Sequence, residues 1–294
     1  MRVLIIGVTG SAGSAFHRLF APDGRFETWG TIRDGSARRF FPERDHARLL
    51  SGVDVGDHGA LVAALDRVRP DVVINAVGVI KQLAASNDPL KVLPINSLLP
   101  HQLAALCGLA GARLVHISTD CVFSGRAGNY KESDLSDAED LYGKSKYIGE
   151  VHDRANAITL RTSGIGHELG SSLGLVEWFL AQSESVKGYA KAIYTGLPWN
   201  ELGVVIRDRV IPNKNLKGMY QVSSDAISKL DLLKLVAKVY GKKIDIIPDD
   251  TVRIDRSLDS TRFRKETGWV PAAWPELVAS MHASRPTVTG KSSV

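Results

Sequence analysis

Tyr142 and Lys146 stand four residues apart in Tyr142-Gly143-Lys144-Ser145-Lys146, at the start of a helical pattern. That spacing puts a phenol and an ammonium on one helix face. A free phenol has a pKa of about 10, too high to exchange protons readily near neutrality. An ammonium close by stabilises the phenolate and lowers that value. The pair can then hand a proton to an alkoxide as hydride arrives at carbon. Upstream, Val115-His116-Ile117-Ser118-Thr119-Asp120 reads as a buried strand ending in hydroxyls. In a doubly wound sheet, ligands sit outside the carboxyl ends of the strands. Thr119 and the Tyr142 helix can therefore meet over one bound molecule. Each piece also has a plainer reading: a solvent-facing helix turn for Tyr142 and Lys146, and capping of loop N–H groups for Ser118.

A hydride needs a carrier. Gly7-Val8-Thr9-Gly10-Ser11-Ala12-Gly13 has the spacing GxxGxxG and lies between the first apolar run and the first helical pattern. Glycines permit a tight turn and close backbone approach, and the free N–H groups of the following helix suit a pyrophosphate. In that context the loop predicts a dinucleotide site, against the plainer reading of a structural turn. Further on, Arg33 and Asp34 follow Thr31-Ile32. An arginine there takes a 2′-phosphate and an acid takes the ribose. Arg33, with Arg38 and Arg39 close behind, points to NADPH, and Asp34 leaves NADH open. A solvated basic loop is the alternative.

The elements that must position these residues read as alternating strands and helices. Arg2–Ile6, Phe26–Ile32, Asp71–Val77, Ala112–Ile117 and Ala157–Leu160 are predicted strands, apolar on both faces. Between them, Ser11–Phe20, Asp57–Arg67 (with Asp57 as N-cap), Pro94–Leu109 and Leu141–Arg154 carry helical periodicity. This alternation predicts the α/β class, with a doubly wound parallel Rossmann sheet. After about Ser163 the pattern changes. A glycine-rich stretch at 164–174 leads to a helix at 175–184, strands near 189–194 and 219–222, a helix at Ala226–Tyr240, a strand at Ile244–Ile247 and a helix opened by Asp259. The expected division is an NAD(P)-binding domain at 1–163 and a smaller mixed α/β lobe for substrate at 164–294, some of whose segments return to the first domain. The tail from His282 is polar and expected to fray.

Composition narrows the partners. The chain has 294 residues with 44% hydrophobic and 23% charged, which excludes collagen, coiled coil and disorder as the main architecture. The charge sum is 37 − 32 = +5, but the bases are scattered, and Glu132 to Asp140 carries five acids and no base. Nucleic acid is therefore not expected, and a modest surplus suits a small anionic ligand. No apolar run approaches the roughly 18 residues of a spanning helix, so no membrane is expected. Residues 1–7 are too short for a signal segment. Cys107 and Cys121 make neither a disulfide framework nor a metal spacing. A reducing, cytoplasmic setting and no metal follow as expectations.

Several motifs together carry a resemblance. GVTGSAG at 7–13, Asn75-Ala76-Val77-Gly78, STDCVFSG at 118–125 and YGKSKYIGE at 142–150 resemble the extended short-chain dehydrogenase/reductase superfamily. STDCVFSG, Tyr130-Lys131-Glu132, Arg256-Ser257-Leu258-Asp259 and Trp274 are similar to the dTDP-4-dehydrorhamnose reductase family within it. The resemblance implies NAD(P)H-dependent reduction of the C4 ketone of a nucleotide-linked 4-keto-6-deoxy sugar, for deoxysugar and surface polysaccharide biosynthesis. By it, Thr119, Tyr142 and Lys146 are the catalytic trio. Thr119 hydrogen-bonds the substrate oxygen, Tyr142 protonates it and Lys146 holds the nicotinamide ribose. The expected cofactor contacts are Gly7, Gly10, Ser11, Ala12, Gly13, Arg33, Asp54, Val55, Ala76, Val77, Gly78, Tyr142 and Lys146. Expected around the substrate are Asp120, Cys121, Val122, His167, Trp178 and Arg256. A homodimer is compatible with the family.

The sequence departs from that family at Cys121, where tyrosine is common, and the interval from Thr119 to Tyr142 is one residue short. Sugar-nucleotide dehydratases resemble Thr-Asp-Glu at this strand end, and Cys121 in third place leaves them without their base. A bifunctional 3,5-epimerase/4-reductase similar to GDP-fucose synthase would use Cys121 and His167 on opposite faces of the sugar ring. A packed thiol and a loop histidine are the plainer reading of those two. A third alternative is a non-catalytic NAD(P)-binding subunit, as in the regulatory β subunit of methionine adenosyltransferase, because fold alone does not fix function.

Overall fold

Strands that are apolar on both faces can lie only inside a sheet covered on both sides, and the first half of the chain is built from such strands. In the computed structural model, which describes residues 1–286, these are β1 (Arg2–Ile6), β2 (Glu27–Ile32), β3 (Leu49–Ser51), β4 (Val72–Asn75), β5 (Arg113–Thr119) and β6 (Ala157–Thr162). The short strands β7 (Gly164–Ile165) and β9 (Leu197–Pro198) pair in parallel, with β8 (Val186–Tyr194) between them in sequence. The chain then returns through β10 (Gly218–Gln221), which pairs in parallel with β6. The main sheet is thus seven parallel strands in the order β10-β6-β5-β4-β1-β2-β3. Its strand order reverses between β1 and β4, where doubly wound folds bind ligands. A second sheet sets β8 between β11 (Ile227–Ser228), antiparallel, and β12 (Ile246–Asp255), parallel. The fold is therefore the α/β, Rossmann-like architecture expected, with a smaller mixed sheet.

The helices are α1 (Ser11–Phe20), α2 (His58–Val68), α3 (Pro89–Val92), α4 (Leu99–Leu109), α5 (Leu141–Ile148), α6 (Leu175–Ala181), α7 (Trp199–Val205), α8 (Lys229–Tyr240), α9 (Thr261–Thr267) and α10 (Trp274–Ala283). Asp57 caps α2 as expected, accepting from Gly59 N and Ala60 N. Two buried clusters cover the two faces of the main sheet. One joins Val3, Ile5, Ile74, Val115 and Ile158 to Phe16, Leu202 and Val205; the other joins Leu4, Ile6 and Val73 to Leu61, Leu65, Leu99 and Leu103.

The structure redraws several expected elements. The helix expected at Pro94–Leu109 begins at Pro89, where Asp88 caps Leu90 N, and runs to Leu109 through a π-helical stretch at Leu93–Leu98. An 18-residue window within its 21 residues has a mean hydropathy of 1.3, so by length and composition it could span a membrane, contrary to expectation. Here Val92, Leu99, Leu103, Ala104 and Cys107 are buried, with the last four in the cluster behind the sheet. The helix expected to reach Arg154 stops at Ile148, with Gly149 as its C-cap packed against the Asn96 carbonyl where no side chain would fit. The edge strand β3 and helix α7 are too short to carry a readable period, and α10 was missed although Trp274, Leu277, Val278 and Met281 recur at helical spacing. Polar fraying from His282 meets a helix that continues to Ala283; residues 287–294 lie outside the described residues.

Candidate active site

At the carboxyl ends of β1, β4, β5 and β6 a cleft of about 680 Å³ opens. Its floor at one end is the glycine loop. Gly7 sits at φ +85°, a left-handed conformation that favours glycine, and Val77 packs directly against it. A side chain at Gly13 would run into the Gly7 carbonyl, so Gly13 lets α1 cross close to β1. Gly10 is different. A methyl there would make only ordinary contacts within the protein, yet Gly10, Ser11 and Ala12 face the open cleft. Gly10 is also the N-cap of α1 and supplies no side-chain cap, so first-turn N–H groups are left for a ligand.

Across the cleft, β5 ends at Thr119 and α5 begins beside it, because Asp140 caps Gly143 N at 2.7 Å. Thr119, Asp120, Cys121, Tyr142 and Lys146 all line the cleft, as do Ala76, Val77 and Gly78. Thr119 Oγ1 accepts from Cys121 N at 3.1 Å and lies 3.2 Å from Asp120 Oδ1, with the Tyr142 phenol nearby in the cleft wall. Lys146 is buried and donates to the Ile117 carbonyl at 2.8 Å. Burial lowers its pKa to about 8, against the opposing pull of Glu150.

The expected lowering of the phenol pKa is not seen. Burial pushes Tyr142 up from its ordinary value, and Cys121, Asp120 and Asp140 add to the effect, while Thr119 opposes it. Lys146 is engaged by a backbone carbonyl instead of the phenol. Tyr142 therefore keeps its proton, the state a proton donor needs. Burial, helped by Asp120, likewise pushes the Cys121 thiol up to about 12, so it remains protonated.

Other expected residues fall elsewhere. His167 does not line the cleft: its ring is buried, with Nδ1 2.6 Å from Glu177 Oε1 and Nε2 2.9 Å from the Tyr240 hydroxyl. Only its backbone reaches the glycine loop, its carbonyl accepting from Ser11 Oγ at 3.1 Å. Trp178 is on the outer side of α6, 38% exposed, and also misses the cleft. Trp199 lines it in place of Trp178, against Gly164 and Gly166, with its ring edge-on to Phe16. Val122 is fully buried in a small core with Phe123, Tyr130 and Leu258. That core explains why STDCVFSG, Tyr130 and the Leu258 segment occur together. It also holds Arg256 in place, since Arg256 Nε donates to the Phe123 carbonyl at 2.7 Å, and Arg256 lines the cleft. Ser118 caps no loop. It donates to Glu150 Oε1 at 2.7 Å, and Glu150 pairs with buried Arg161 at 2.6 Å.

The residues expected at the adenosine end do not line the cleft. Arg33 is exposed just past β2, and its carbonyl accepts from Gly52 N at 3.2 Å, which brings it beside the segment leading to Asp54 and Val55. Asp34 is occupied with Ser36, accepting from its N and Oγ at 2.9 and 2.8 Å. Asp54 accepts from Gly56 N in its own turn, and Val55 packs on the α2 side of the sheet. A separate pocket of about 440 Å³, between β3 and α2, contains none of the expected site residues.

Sequence reading missed Asn96. From the π-helical stretch its Oδ1 accepts from Val79 N at 2.9 Å and its Nδ2 donates to Val79 O and Ser145 Oγ. It thereby ties the 76–83 loop to the helix that carries Tyr142. Lys81, Ser163, Tyr194 and Lys229 also line the cleft without having been singled out.

Residues 1–186 match the family described as RmlD substrate binding domain. The dTDP-4-dehydrorhamnose reductase of Aggregatibacter actinomycetemcomitans is 23% identical, over 96% of this chain and 98% of its own length. Methionine adenosyltransferase 2 subunit beta of Pongo abelii is 30% identical, over 51% of this chain and 41% of its own. Among solved structures, dTDP-4-dehydrorhamnose reductase from Bacillus anthracis in complex with NADP superposes with a TM-score of 0.79 at 22% identity, covering 97% of this chain and 99% of that one. The structural likeness extends the shared fold over nearly the whole chain. The family match covers well over half of it and upholds the resemblance read from the strand-end and YxxxK motifs: the chain belongs to the RmlD substrate-binding-domain family.

Proposed function

We propose that this protein reduces the C4 ketone of a nucleotide-diphosphate-linked 4-keto-6-deoxy sugar, with NADPH as reductant. The observation that carries this reading is the one cleft lined by Thr119, Tyr142 and Lys146, with the glycine loop at its far end. The residues present fit the cofactor. Gly10 leaves open space where a diphosphate would approach, α1 presents uncapped N–H groups, and Arg33 is exposed where a 2′-phosphate would lie. Gly10, Ser11 and Ala12 would hold its diphosphate, and Lys146 its nicotinamide ribose. When bound, NADPH supplies the hydride that reaches the ketone carbon. Tyr142, kept protonated by burial, donates its proton to the ketone oxygen, and Thr119 hydrogen-bonds that oxygen. Arg256 lines the cleft, where it would meet the substrate's diphosphate.

Two observations favour plain reduction over combined epimerisation. His167 is turned into the lobe between Glu177 and Tyr240, and the Cys121 thiol is held protonated, so the acid–base pair that epimerisation needs is not assembled. The trio of Thr119, Tyr142 and Lys146 in one cleft favours turnover over a purely regulatory subunit. The test is incubation with dTDP-4-keto-6-deoxyhexoses and NADPH in deuterated water. The expected result is loss of NADPH and a product with no deuterium at carbon 3 or 5. Deuterium at those carbons would restore the epimerase reading, and no NADPH loss with any 4-keto sugar nucleotide would defeat the assignment.

A second expected result concerns cofactor choice. Arg33→Ala should weaken NADPH by roughly 10- to 100-fold, the equivalent of losing a charge-assisted hydrogen bond of about 1.5–3 kcal/mol. NADH, which lacks the 2′-phosphate, should change little. Dissociation constants from cofactor fluorescence check this, and equal losses for both would make Arg33 a bystander.

A further inference from the structure

Thr119 is asked to give its hydroxyl proton to a substrate oxygen, and the structure shows a competitor for that proton. A hydroxyl has one proton and two lone pairs. One lone pair of Thr119 is taken by Cys121 N at 3.1 Å. Asp120 Oδ1 lies 3.2 Å away, and the Tyr142 phenol of α5 lines the same part of the cleft near this hydroxyl. An ionised Asp120 can only accept, so the Thr119 proton turns to it. The remaining lone pair of Thr119 then draws the Tyr142 proton, and both protons are held within the cleft wall. A neutral Asp120 reverses this. Its own proton fills the second lone pair of Thr119, and the protons of Thr119 and Tyr142 are both left to converge on one oxygen.

We propose that Asp120 is a positioning residue that acts as a neutral acid: it donates to Thr119 and so turns the Thr119 proton toward the ketone oxygen, whereas as a carboxylate it takes that proton itself. This rests on the roles of Thr119 and Tyr142 given above. Asp120 is buried, 8% exposed, and lines the cleft. It is faced by Arg256 after β12, Cys121 on its own turn, Tyr142 from α5, Tyr194 from β8 and Ser163 beyond β6. Burial raises its carboxyl above the ordinary value, and outweighs Arg256, Thr119, Cys121 and Ser163, which pull the other way. A carboxylic acid kept neutral by poorly solvated surroundings is a competent hydrogen-bond donor.

Two measurements test this. In infrared difference spectra of wild type against D120N, without substrate, a protonated-carboxyl band should persist well above the ordinary aspartate pKa of about 3.9. Thr119→Val should shift that band. Its absence above that pH, or its indifference to Thr119→Val, overturns the proposal. The second measurement is kcat against pH. The neutral form is the working one, so wild-type turnover should fall as pH rises through the infrared midpoint. In D120N the amide donates at every pH, and this limb should disappear. The ratio of D120N to wild type should then climb about tenfold per pH unit above the midpoint, while a more alkaline limb from Lys146 remains in both. Asp120→Ala should lose roughly 10²-fold in kcat, the low end for one lost oxyanion donor, and D120N should recover most of that difference. A D120N profile parallel to wild type, or a D120N as slow as Asp120→Ala, overturns the proposal. If wild type reduces no 4-keto sugar nucleotide, the proposed function fails, and the infrared measurement still decides on Asp120.

Discussion

Tyr142→Phe should cut turnover by roughly 10²–10⁴-fold, the usual worth of a positioned general acid, while NADPH affinity stays within about twofold. The substitution removes one oxygen and leaves the ring, so α5 keeps its packing and Lys146 keeps its bond to the Ile117 carbonyl. What is lost is the proton that burial holds on the phenol beside Thr119. Water is a poor replacement, because the phenol stands where the cleft wall closes around Thr119, Asp120 and Cys121. Steady-state kinetics with cofactor titration by fluorescence separates the two effects. A Tyr142→Phe protein with wild-type turnover would remove Tyr142 from the mechanism, and one that no longer bound NADPH would make it a cofactor anchor.

Glu150→Ala should destabilise the fold by about 3–5 kcal/mol, the penalty for stranding one member of a buried ion pair. Arg161 is fully buried, and its Nε and Nη2 reach the two Glu150 oxygens at 2.9 and 2.6 Å. Its Nη1 has no hydrogen-bond partner among the described residues, though its guanidinium lies over the Phe123 ring. Without Glu150 the charge has no counter-ion, and Ser118 loses its acceptor as well. Replacing both partners, as in Glu150→Leu with Arg161→Met, should recover most of the loss, because the desolvation cost goes with the charges. Urea denaturation midpoints for the single and double variants check this. A single variant within about 1 kcal/mol of wild type would mean that water reaches Arg161.

The chemistry-bearing pieces were legible because each is short and lies at an element boundary. GxxGxxG follows an apolar run and opens α1, and Tyr142 to Lys146 falls within α5 after the Asp140 cap. Periodicity gives the buried faces of α1 and α8 for the same reason. It gives nothing about the far wall of the cleft, where residues of 163–175, Tyr194, Trp199, Lys229 and Arg256 come together. Trp178 and Trp199 look alike in sequence, yet only Trp199 packs on Gly164 and Gly166 and faces the cleft. Asn96 was hidden because a π-helical stretch shifts it out of regular helical register. His167 was assigned by its place in a loop, and what decides its orientation, Glu177 and Tyr240, comes from helices further along the chain.

The last strand of the main sheet has a consequence for synthesis. β6 is complete by Thr162, but its partner β10 spans Gly218–Gln221, with all of β7, β8, β9 and α7 between them. As the chain leaves the ribosome, six strands can assemble while one flank of β6 still presents unpaired N–H and C=O groups. During that interval β6 is a template for any other extended segment nearby. Arg113 shortens the exposure: it donates to the carbonyls of Val210 and Leu216 and draws the returning chain down just ahead of β10. Slow elongation between residues 163 and 218 would therefore lengthen the window in which nascent chains can pair with one another.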